Sequence, residues 1–147
     1  MTEAEYAEWR PRSERDYAQD MIDAGFDEQS AREKAERDFP NLLPGGVHTE
    51  GQDLYTVVSE GERAGVLWLC ERVLDDGATL FIYDIRLDES QRGKGIGRAT
   101  MKLVEDEARR RGIDKITLNV FGGNEVARSL YRSLGYDEVA VYMSKKV

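Results

Sequence analysis

The chain predicts a single α/β (α+β) domain spanning residues 1–147, and three features of the sequence point to it. A glycine-rich stretch, Gln91 to Arg98, joins a strand-like run (Leu80 to Leu87) to a helix-like run (Ile96 to Arg111). A second unit of the same kind follows. The β-branched, apolar run Lys115 to Phe121 breaks at Gly122-Gly123-Asn124 and resumes at helical spacing from Glu125 to Leu134. The first half reads as two amphipathic helices and a hairpin. A chain of this length can bury a real core in one domain.

Taken in order, Ser13 with Asp16 three residues on resembles a capping box, and Tyr17, Ala18, Met21 and Ile22 form one helical face before Gly25. Asp27 is positioned to cap a second helix, with Ala31, Ala35 and Phe39 on one face and Pro40 ending it. The turn-rich Pro44 to Thr49 carries His48, the only histidine, read first as a loop residue. Leu54 to Glu60 and Ala64 to Glu71 flank a turn containing Gly61, and a third strand follows from Thr79. After the glycine-rich loop comes the helix from Ile96, closed by Gly112. The helix from Glu125 has Asn124 as its N-cap, Val126, Ala127, Leu130 and Leu134 on its apolar face, and Gly135-Tyr136 at its end. Glu138 to Met143 reads as a last strand.

The loop carries the chemistry. A glycine-rich turn feeding a helix N-terminus presents backbone N–H groups that lack partners within the helix. With the helix dipole they form an anion site, and glycine lets a phosphate approach the backbone closely. Arg92, Lys94 and Arg98 add positive charge, which makes the stretch a candidate pyrophosphate cradle. Two familiar cradles fit poorly. A dinucleotide fingerprint needs G-x-G-x-x-G after the first strand, and a Walker A loop needs a hydroxyl residue after its lysine, where this chain has Gly95.

What remains is R-x-x-G-x-G, filled by Arg92, Gly95 and Gly97. It resembles the acetyl-CoA loop of the GNAT superfamily of N-acetyltransferases. Downstream, Asn124 to Tyr136 is similar to a second signature of that superfamily, N-x-x-A-x-x-L-Y-x-x-x-G-[FY], with Ala127, Leu130, Tyr131 and Gly135 in place. The two signatures lie in the right order, within about Leu80 to Val147. The resemblance implies a mixed, mostly antiparallel sheet whose central strands splay apart, flanked by helices. It implies direct acetyl transfer from acetyl-CoA, as co-substrate, to an amine on a small molecule or peptide. GNAT chains usually open with a strand before the first helix. Met1 to Glu8 offers little for one, so either that strand is missing or the chain begins inside the fold.

The resemblance also assigns roles. The pantetheine arm would run along Ile85, Arg86 and Leu87, with the Leu87 N–H polarising the carbonyl. Arg92, Gly93, Lys94, Gly95, Ile96 and Gly97 would hold the pyrophosphate, and Asn124, Asn119 and Tyr131 would also contact the coenzyme. Tyr131 matches the tyrosine that protonates the departing thiolate; by itself it would read as a core residue. Some members carry a glutamate where this chain has Asn119, which cannot take a proton. Asp84 is the substitute base, sharing a strand face with Arg86; a structural ion pair between the two is the alternative reading. Glu71 is a further candidate, and water-mediated deprotonation stays open.

Composition narrows the alternatives. Residues 1–78 hold 8 Lys/Arg against 19 Asp/Glu and residues 79–147 hold 13 against 10, for a net charge of −8 overall. A nucleic-acid binder would show the opposite balance. The split suits an anionic co-substrate on the second half and a cationic one on the first, although solvated acidic helices explain it as well. The single Cys70, within an apolar run, excludes an internal disulfide and a thiolate metal cluster, and no metal is expected. There is no apolar run of about 18 residues and no signal-peptide pattern, so no membrane partner and a cytoplasmic location are expected. A homodimer is left open. Two other readings are an acetyl-CoA-binding regulatory module without catalysis and an interaction protein with a degenerate loop.

Overall fold

The computed structural model describes residues 1–145 and 147. Its sheet has the order β1-β2-β3-β4, where β1 is Gln52–Ser59, β2 is Glu62–Leu74, β3 is Gly77–Leu87 and β4 is Ile116–Leu118. The first three strands pair antiparallel and β4 joins parallel to β3, giving the mixed sheet that the sequence implied. Glu60 and Gly61 both take positive φ, at 52° and 82°, so β1 and β2 meet in a two-residue turn of the kind that matches strand twist.

Helices cover both faces. On one lie α1 (Glu3–Asp23) and α2 (Glu28–Leu42), whose Trp9, Phe39 and Leu43 pack on Leu54, Val66 and Trp68. On the other, α3 (Ile96–Arg110) and α4 (Glu125–Ser133) close a core of Leu67, Leu69, Leu80, Ile82, Met101 and Val104. Coverage on both sides explains why Ala64 to Cys70 is an unbroken buried run rather than an alternating one.

Of the alternatives left open for the N-terminus, residues from Glu3 onward form helix with no strand before it, so β1 is the sheet's edge. Other expectations are corrected. The cap of α1 is Thr2, paired reciprocally with Glu5, and Ser13 lies buried in mid-helix. The Met1 ammonium donates to the Leu54 carbonyl (3.0 Å) and pins that start to the sheet. Pro11 and Pro40 both sit within helices, and α2 ends two residues beyond Pro40. Buried Trp9 and Phe39 next to these prolines anchor the helices, and that tertiary packing outweighs the lost backbone bonds.

The strand expected over Lys115 to Phe121 shortens to three residues, because past Leu118 the chain leaves β3 and has no ladder to join. Glu138 to Met143 forms no strand at all. The Glu138 carboxylate is held on the outside of α4 by Arg128 (2.8 Å) and Arg132 (2.7 Å), and the residues after it meet no sheet edge. The caps at Asp27 and Asn124 form as expected, each accepting a backbone N–H three residues on.

Candidate active site

The sheet opens between β3 and β4. Their pairing covers only Leu80–Ile82 against Ile116–Leu118, and a bulge follows at once, with Ile82 opposite Leu69 but Asp84 opposite Trp68. Tyr83 is the extra residue. From there β3 continues to Leu87 with no neighbour on the β4 side. The Asp88 N–H points the other way, to the Ala64 carbonyl (2.9 Å). Strand alternation therefore aims the backbone groups of Ile85 and Leu87 into the opening, and those of Arg86 at β2. Of the three residues expected along a pantetheine arm, Arg86 is the exception. Its side chain also turns away, to α1.

Close approach at the rear of β3 depends on Gly65. A Cβ there would lie 2.3 Å from the Arg86 carbonyl oxygen and 2.9 Å from the Leu87 Cα, so only glycine fits. Nothing local in the sequence marks this residue, because the contact is made across strands.

At its open end β3 leads through the 3-10 turn Glu89–Gln91 into the glycine-rich loop. Gly93 (φ 73°) and Gly95 (φ 79°) take left-handed conformations that other residues adopt at a cost. Gly95 is the N-cap of α3 and supplies no side chain, so the first N–H groups of α3 have no side-chain cap. Gly97 faces Leu130 of α4 and Leu87 of β3 across a gap that would bring an added Cβ within 3.4 Å of Leu130. Arg92 and Lys94 are exposed at the rim, bonded to the Leu87 carbonyl (3.2 Å) and to Gln91 (3.2 Å). Arg98 departs from expectation: its guanidinium bonds Ser133 of α4 and ties the two helices together. A cleft of about 300 Å³ lies between the hairpin tip and this loop, but Glu60 and Glu62 line it and would repel phosphate. The cradle is the helix end itself.

Asp84 sits at the bulge on the face covered by α1. Ser13 donates weakly to its carboxylate (3.5 Å), and the Arg86 guanidinium stands 4.0 Å away. Arg86 is bound more closely by Asp20 (2.7 Å) and Asp16 (3.6 Å), so the ion pair considered for Asp84 and Arg86 is only the outer part of a larger cluster. Burial raises the Asp84 carboxyl to about 6, a rise that Asp20 and Asp16 add to and Arg86 opposes. Ser13, Asp16 and Asp20 are the site-facing residues that sequence reasoning missed as a group. Their i, i+3, i+7 spacing on α1 is the one signal in the sequence that marks them.

Tyr131 packs half-buried against the α3 core with its ring 5.8 Å from that of Tyr136. Burial, then the Asp84 charge, raises its phenol above the usual range, so it keeps its proton and feels Asp84. Asn124 spends its side-chain oxygen on the Ala127 N–H (3.2 Å), leaving its NH₂ to donate elsewhere. Asn119 is exposed just past β4. Glu71 lies opposite Leu80, away from the opening, and is not part of this group. His48 bonds Glu3 (3.0 Å) in a 3-10 turn, and Cys70 is buried with its thiol raised by that burial, so both read as structural. Among the described residues no cluster suited to a metal occurs, and no helix is long and apolar enough to cross a membrane.

Known proteins resemble this chain in sequence and fold. The model of the acetyltransferase (GNAT) family matches residues 5–136. The uncharacterized N-acetyltransferases YdgE and YycN of Bacillus subtilis are 33% and 32% identical over the whole of this chain, which covers 95% and 96% of theirs. The crystal structure of YycN superposes with a TM-score of 0.91 at 33% identity, over 100% of this chain and 95% of that one. A [ribosomal protein bS18]-alanine N-acetyltransferase of Escherichia coli is 37% identical over 48% of this chain and 46% of its own.

Proposed function

Because the chain belongs to the acetyltransferase (GNAT) family, we propose that it transfers an acetyl group from acetyl-CoA directly to an amine. The observation that carries this reading is the continuous path from the open edge of β3, through Ile85 and Leu87, to the uncapped N-terminus of α3. An extended arm can pair with such an edge as an added strand, and the helix end receives the phosphates that follow it. The residues fit the coenzyme by shape and by charge.

Bound there, acetyl-CoA supplies a thioester carbonyl. The Leu87 N–H, aimed into the opening, donates to its oxygen as charge develops. Asp84, ionised above about pH 6, accepts the proton that the amine sheds. Tyr131, neutral at working pH, gives its proton to the departing thiolate. Two titratable groups whose environments keep one charged and the other protonated divide the acid and base work between them. Asp16, Asp20 and Asp84 surround one guanidinium, and the excess negative charge on the α1 side favours a cationic acceptor on a small molecule or peptide. Use of this coenzyme is also the ground for a cytoplasmic location.

Asn119, standing where some relatives carry a carboxylate, favours the second reading of a coenzyme-binding module without catalysis. Release of free thiol from acetyl-CoA, assayed against polyamines and peptide N-termini, separates the two. Amine-dependent release supports transfer. Binding without release under every amine supports the module.

A further inference from the structure

Asp84 and Arg86 stand two residues apart on β3, the spacing that puts both side chains on one face. They nevertheless do not bond to each other. The guanidinium turns each of its nitrogens to a different carboxylate: Nη2 to Asp20 at 2.7 Å, Nη1 to Asp16 at 3.6 Å and Nε to Asp84 at 4.0 Å. Only the first is within hydrogen-bond reach, and it has the length of a charge-assisted bond. Asp16 and Asp20 lie four residues apart on α1, so one turn of that helix brackets the Arg86 head and draws it off its own strand. Asp84 keeps the Ser13 hydroxyl, at 3.5 Å, as its hydrogen-bond partner among the described residues.

A carboxylate gripped by a guanidinium is held in its charged form and accepts protons poorly. One whose cation is held at a distance keeps its lone pairs for other donors. We propose that Asp20 is a positioning residue for Asp84: it captures Arg86 and so leaves the Asp84 carboxylate available to take up a proton. Asp16 is the second, looser hold. The groups that face Asp84 are Ser13, Asp16 and Asp20 from α1, Arg86 from β3 and the Tyr131 phenol from α4, while β2 sets the uncharged Trp68 opposite it. Asp20 therefore acts twice in one direction, through its own charge and through the cation it diverts. The consequence for transfer rests on the reading of Asp84 as the base; the placement of Arg86 does not.

Carboxyl ¹³C NMR titration of the full chain, without coenzyme or amine, tests this, with the Asp84 resonance assigned by its loss in Asp84→Asn. In Asp20→Asn the Asp84 midpoint should fall by about one pH unit as Arg86 closes on it. Asp20→Glu, which keeps a carboxylate for Arg86, should restore most of the parent value. In an Arg86→Gln background the Asp20→Asn change should move the midpoint far less, because no cation is left to release. A midpoint unmoved by Asp20→Asn overturns the proposal. So does an equal movement with and without Arg86, which would make Asp20 a distant charge and nothing more. A pH–rate profile that stays fixed while the Asp84 titration moves would remove Asp84 as the base and leave the positioning by Asp20 standing.

Discussion

Replacing Asp84 with asparagine removes a charge that the fold holds at a cost. The carboxyl rises from 3.8 to about 6 on folding, through burial and the neighbouring Asp20 and Asp16. A raised carboxyl favours the native state only while protonated. Its contribution is fully present below pH 3.8 and is lost as pH climbs through about 6. At 1.36 kcal/mol per pKa unit, the charged side chain costs about 3 kcal/mol at pH 8. Asp84→Asn keeps the shape and cannot ionise. Urea unfolding should therefore show the variant more stable than the parent by about 3 kcal/mol at pH 8 and by under about 1 kcal/mol at pH 4. Activity should move the opposite way, falling with loss of the pH-dependent limb near 6, as expected where a site is strained for function. A variant no more stable than the parent at pH 8 would refute the buried, self-repelling placement of Asp84. An unchanged pH–rate profile would refute its role as base.

Three further outcomes follow from the geometry. Gly65→Ala forces a Cβ to within 2.3 Å of the Arg86 carbonyl, so it should cost about 1–3 kcal/mol and weaken acetyl-CoA binding by displacing Leu87, checked by urea unfolding and calorimetry. Tyr131→Phe should keep the fold and coenzyme binding while kcat falls by about 10²–10⁴; near-normal kcat would make Tyr131 a packing residue. Thr2→Ala breaks the reciprocal cap with Glu5 and should lower stability by about 1 kcal/mol with no change in activity.

Legibility in the sequence followed the range of the interaction. The loop from Arg92 to Gly97, the start of α3 and the Asn124 cap rest on residues three or four apart, and each lies where the pattern puts it. The start of α1 was open to the same reasoning at Thr2 and Glu5, but the Ser13 and Asp16 spacing presents the same cap pattern, and Pro11 lies inside the helix. Its cost is outweighed by Trp9 docking on Phe39 and Trp68, which no local pattern reveals. The surroundings of Asp84 come from Ser13 and Asp20, many residues earlier in the chain, so the carboxylate could be nominated but not its partners. Gly65 and the bulge at Tyr83 arise only from the register of β2 on β3. The apolar pattern over Glu138 to Met143 suggested a strand that the structure does not form, because no sheet edge meets the segment and local pattern cannot supply one.

The central claim, that the open β3 edge and the α3 N-terminus hold acetyl-CoA, is tested most directly by thermal unfolding with and without the coenzyme. A ligand that binds only the native state at a hundredfold excess over Kd adds about 2.7 kcal/mol, or about 5–10 °C in Tm for a chain of this size. The parent should show that rise, and Gly95→Glu, which places a carboxylate among the α3 N–H groups, should lose it. An unshifted Tm at millimolar acetyl-CoA, or a shift that survives in Gly95→Glu, would contradict the account.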